Sequence, residues 1–182
     1  MNRRQCLQKI ALPAATLAIP ALYLPRSFAQ GADKVQSLSQ ALRWLDQLQT
    51  APGVQTTGAW PLSVVLEHLA QSIDMSMDGF PEPKSALFQN TLGTAAFTFF
   101  KLRGKMSHSL SEPIPGAPAL APAAAWITAS KRLQTAITRF EAHKTALKPH
   151  FAYGLLSKSD YALAHTMHIA NHQDEIAMNR LA

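Results

Sequence analysis

Apolar residues after position 30 recur at helical rather than strand intervals. Between Lys34 and Thr50, Val35, Leu38, Leu42, Leu45 and Leu48 keep one face, and Ala51-Pro52-Gly53 stops the pattern. Pro61 suits the first turn of a second helix, with a stripe of Leu62, Val65, Leu66, Leu69, Ile73 and Met77 that ends at Gly79 and Pro81-Glu82-Pro83. Residues 85 to 103 predict a third helix whose leucines and phenylalanines suggest deep burial, with Gly104 as its C-cap. A proline-marked loop through Pro113, Pro115, Pro118 and Pro122 should run over the surface. A fourth helix spans roughly Ala123 to Leu147. A last one opens at Ser157, where Asp160 three residues on gives a capping-box shape. No strand pattern of comparable length is present. The expected fold is all-α, a helical bundle with short connections.

The first 29 residues have another character. Arg3 and Arg4 precede an apolar run from Ile10 to Leu24, and Ser27-Phe28-Ala29 forms a small-residue cleavage site. The run is shorter than the roughly 20 residues that cross a bilayer as a helix. NRRQCL resembles the twin-arginine consensus, so residues 1–29 read as a twin-arginine-type signal handled by the twin-arginine translocation machinery. Residues 30–182 then form the mature domain, periplasmic or otherwise exported, or membrane-anchored if the signal is not cleaved.

Charge follows from that division. Of 17 Lys+Arg and 11 Asp+Glu, the signal carries Arg3, Arg4, Lys9 and Arg26 and no acid, which leaves 13 against 11, net +2. No basic face or aromatic-basic interleaving points to nucleic acid. The single cysteine, Cys6, also lies in the signal, so the mature domain has no thiolate, and any metal site must use histidine or oxygen ligands.

HTMHIANH, residues 165 to 172, places His165, His168 and His172 within roughly 60° on one helix face at about 100° per residue, with Tyr161 and Ile176 on the same stripe. His168 and His172 have the i, i+4 spacing that converges two imidazoles on one point. A third ligand must come from elsewhere. His68, about 120° off the leucine stripe of its helix, is the best outside candidate. Against this stands the plain alternative of satisfied core histidines.

Two segments carry a family resemblance. GAWPLSVVLEHLAQSIDMSMDGFPEP and PHFAYGLLSKSDYALAHTMHIANHQDEI are similar to the opening and closing motifs of the DUF1569 family, a branch of the DinB-like metalloenzyme superfamily. The resemblance implies a four-helix bundle with an additional helix, and one divalent metal held by His68, His168 and His172. The chain departs from the closing motif at Asn171 and at Asp174-Glu175. By the same resemblance His165 is a neighbour of the ligands or an alternative ligand, and His150 belongs to the turn before the helix, where a structural hydrogen bond is expected.

Three neutral histidines leave coordination positions open, as in catalytic rather than structural sites. Nitrogen ligation suits Zn, Ni, Fe or Co alike. Such a metal can polarise a bound oxygen or thiol, so hydrolase and transferase chemistry on an unknown small-molecule substrate are both open. Glu67, Asp74 and Glu175 are candidate acid-base groups, with solvent-facing charge the expected role of each. The alternatives are a non-catalytic exported bundle that sequesters metal or binds partners and, more remotely, a haem-binding bundle. The oligomeric state stays open, a homodimer included.

Overall fold

Capping and turn chemistry set where the helices begin and end. The structure is a computed structural model that describes residues 33–120 and 125–179. The segment read as an export signal lies outside the described residues. Helix α1 (Leu38–Thr50) starts at Ser37, whose hydroxyl accepts from the Gln40 backbone N–H. It begins later than the apolar pattern suggested, because the side-chain cap outcompetes continuation toward Lys34. Val35 is nevertheless buried just ahead of it. Helix α2 (Leu62–Asp78) starts after Pro61 and ends at Gly79, φ 114°, a backbone angle that favours glycine.

Helices α5 (Trp126–Ala142) and α6 (Lys158–His172) complete the bundle. Helix α2 packs against α5 and α6, and α1 packs against the same two, so each helix has two neighbours around a shared core. Leu45, Leu66, Leu69, Leu133, Ile137 and Phe140 are fully enclosed there. Each such side chain contributes roughly 1.5–3 kcal/mol by leaving water. The expected all-α bundle is what forms. Helix α5 is shorter than the 123–147 span expected, because the chain turns extended at His143. Among the described residues no helix is long and apolar enough to cross a membrane.

The third predicted helix behaves differently from expectation. It comprises α3 (Ala86–Phe88), a π turn (Gln89–Gly93) and α4 (Thr94–Arg103), with Gly104 left-handed at its end as expected. It is not deeply buried. Leu87, Leu92, Phe99 and Leu102 are exposed, Leu102 by 83%. Only Phe97 seats fully, in a small satellite cluster with Met106, Ala164 and Met167, because α4 lies outside the four-helix core rather than within it. Gly93 explains the close approach of this arm to the 150–154 turn: a Cβ there would lie 2.0 Å from the Ala152 carbonyl oxygen.

A two-stranded antiparallel pair also forms, which no sequence pattern announced. β1 (Val54–Thr56) pairs with β2 (Ile176–Met178), Val54 opposite Met178 and Thr56 opposite Ile176. Ile176 therefore belongs to a strand, not to the helical stripe of Tyr161, since α6 ends at His172 and a single 3-10 turn (Gln173–Glu175) follows. This pairing fixes the chain beyond α6 and returns Glu175 toward the bundle. The Thr57 backbone N–H donates to the Glu175 carbonyl at 2.8 Å.

Candidate metal centre

His68 projects from the flank of α2 that carries Val64, Ser72 and Met75, and that flank is buried because α6 packs on it. Its ring meets Trp60 edge-on at 5.2 Å. Ser157 caps α6 by accepting from the Asp160 backbone N–H, which sets the helical phase that turns His168 and His172 toward α2. The result is convergence. Ligand atoms of His68, His168 and His172 all lie within 4.8 Å of one another. Nε2 of His68 and Nε2 of His168 are 3.2 Å apart, close to the edge of about 3.3 Å between two nitrogens on a tetrahedral ion at the usual metal–nitrogen distance.

The polar accounting fits a cation at this point. Nε2 of His172 is buried with no hydrogen-bond partner, and a buried polar atom in that state is costly. Burial, with a contribution from His108, lowers the pKa of His68 to about 4. Burial, then His68 and His108, lowers His172 to about 3. His168 is held well below its ordinary value, again first by burial and then by its imidazole neighbours. All three are neutral at pH 7, the state in which a ring nitrogen has a lone pair to give.

Glu175 departs from expectation. It is not a solvent-facing charge: it is 3% exposed, and its Oε1 lies 2.6 Å from Nδ1 of His172, itself 0% exposed. Burial raises its pKa to about 7. As a carboxylate it accepts the His172 Nδ1–H and leaves Nε2 as the free lone pair, the support that metal-bound histidines usually have. Gly58 makes room for it, since a Cβ there would stand 1.8 Å from Glu175 Oε2. Glu67 and Asp74 are elsewhere. Arg132 donates to both, and Arg139 donates to Asp74 and Asp78, so they serve as ion-paired groups across the α2–α5 contact.

His165 diverges from the other two histidines of the row. It is buried between Phe140, edge-on at 5.0 Å, and Tyr161, and its Nε2 has no partner. Burial lowers its pKa to about 3. His150 does what a turn residue should: its Nδ1 accepts the backbone N–H groups of Ala152 and Tyr153 at 3.1 and 3.2 Å. The proton must then sit on Nε2. Both rings line a cavity of about 270 Å³ that His68 and His168 also border, with Lys84 and Glu112 on its wall.

The sequence reading passed over His108, which sits in the proline-marked loop. Its ring centroid is 4.8 Å from that of His168 and 5.8 Å from that of His172. No periodicity could have found it, because a loop has none. The only signal was one more histidine in a chain with three others in a single eight-residue stretch.

Fold and site define a helical bundle with a buried cluster of neutral histidines beside a small cavity. The chain belongs to the family described as "Protein of unknown function (DUF1569)", which it matches over residues 31–179. No curated protein and no solved structure matches it.

Proposed function

We propose that this chain is an exported, DinB-like protein that holds one divalent metal through His68, His168 and His172 and acts on a small molecule as a hydrolase or transferase. The observation that carries the reading is the convergence within 4.8 Å of three neutral imidazoles, His68 and His172 buried and His168 half-buried. A divalent metal there would supply Lewis acidity toward an oxygen or sulfur of the substrate. Zn, Ni, Fe and Co all suit the donor set.

The remaining work falls to the chain's own groups. Glu175 fixes the His172 tautomer and ring orientation. The His150 Nε2–H and the Lys84 ammonium are donors on the cavity wall that would orient an acceptor group of the substrate. Met106, Ile114 and Phe151 exclude water from the same space. A cavity beside the histidines favours turnover over simple metal storage, which needs no space for a second molecule. The twin-arginine-like N-terminus supports export, since that route carries folded, metal-loaded proteins.

The test is a panel of ester, amide and thiol-transfer substrates with metal-replete protein and His168→Ala. Turnover that disappears in the variant supports the enzyme. Stoichiometric metal with no turnover across the panel supports the sequestering bundle instead.

A further inference from the structure

The loop that follows α4 is anchored above the histidine cluster. Met106 and Ile114, on either side of His108, are buried at 5% and 6% exposure. The Asn171 side-chain amide donates to the His108 carbonyl at 3.4 Å, and that of Gln71 donates to the Pro118 carbonyl at 3.1 Å. His108 is thereby held against α6 although its own ring stays open to solvent.

Two observations give this histidine a role. First, its Nδ1 is 2.7 Å from the Ser109 carbonyl oxygen, which can only accept. Nδ1 therefore carries the hydrogen and Nε2 keeps the lone pair, the tautomer that metal-bound histidines adopt when a backbone carbonyl supports them. Second, imidazoles arranged tetrahedrally around one ion have ring centroids about 5 Å apart at ordinary metal–nitrogen distances. The three pairs among His68, His168 and His172 are separated by 5.1, 5.3 and 5.0 Å. His108 stands from His168 by 4.8 Å and from His172 by a wider 5.8 Å, next to the converging triad rather than within it, so that a short inward shift of the loop would complete the set.

We propose that His108 is a fourth metal ligand, delivered by the loop to the solvent side of the cluster. The inference rests on the triad reading above. As the exposed member of the set, His108 is the ligand that an incoming substrate group can replace without disturbing the bundle core.

Cobalt(II) tests this without reference to turnover. The full chain, His108→Ala and His68→Ala are titrated against a chromogenic chelator, and the visible absorption of each cobalt complex is recorded. His108→Ala should keep one cobalt per chain, bind it more weakly by at least the roughly 10-fold that losing a mere supporting partner costs, and regain the wild-type spectrum when imidazole is added. Wild-type affinity and an unchanged spectrum in His108→Ala would overturn the fourth ligand and leave the triad standing. A wild-type chain that takes up no cobalt would overturn both. Nitrogen-15 NMR of the zinc-loaded wild type gives a check free of mutation: four metal-shifted histidine nitrogens are expected, and three would contradict the proposal.

Discussion

Nδ1 of His172 and Oε1 of Glu175 lie 2.6 Å apart with both side chains removed from water. The pair is local in sequence, but its geometry is not: the β1–β2 pairing returns the chain after α6 and carries the carboxylate under the ring. Glu175→Gln keeps the shape and removes the charge that holds the Nδ1 proton. Metal affinity should fall about 10- to 100-fold, as for other groups that support a ligand, with the far-ultraviolet circular dichroism unchanged. Equal affinity would assign Glu175 a purely structural place.

Gly58 should matter for the same reason. Alanine puts a Cβ 1.8 Å from Glu175 Oε2, so the carboxylate must move. Gly58→Ala should weaken metal binding much as Glu175→Gln does. The double variant should be little worse than either single one, because both break the same contact. Chelator competition on all three proteins measures it.

The helices were legible in the sequence because period, Pro61, Ser157 and Gly104 each acted locally. That His168 and His172 share a helix face was legible from their spacing, whereas the sequence only permitted His68 to meet them, on a flank that can face a neighbouring helix, and the family resemblance joined the three. What stayed hidden depends on distant pairing. β1 and β2 have three residues each and no pattern of their own, and they decide where Glu175 goes. The exposure of α4 was unreadable for a related reason. Phe97 and its apolar neighbours look alike in sequence, and only the choice of α1, α2, α5 and α6 as the core leaves Leu102 outside.

Acid should destabilise the metal-free protein, with His165 a measurable part of the effect. Its pKa falls from 6.5 to about 3 on folding because burial disfavours the charged ring. Between those values the unfolded chain binds a proton that the folded one refuses. Stability is therefore full above pH 6.5 and is lost as the pH drops. Going from pH 7 to 5 should cost about 2 kcal/mol through this residue. Urea midpoints at the two pH values should differ less in His165→Gln than in the parent, and an identical difference would refute the assignment.

The Arg132 pairs should contribute little. Its side chain is 41% exposed, and partly solvated ion pairs are worth at most about 1 kcal/mol. Arg132→Ala and Glu67→Gln should shift the urea midpoint slightly and leave metal content untouched. A loss of metal or of turnover in Glu67→Gln would place that carboxylate in the site after all.

The central claim is that His68, His168 and His172 together hold a metal. Elemental analysis of the purified protein after reconstitution with zinc, compared with His68→Ala, His168→Ala and His172→Ala, tests it most directly. One ion per chain in the parent, lost or sharply reduced in each variant, is the expected result. Absence of metal from the reconstituted parent, or full occupancy in the variants, would contradict it.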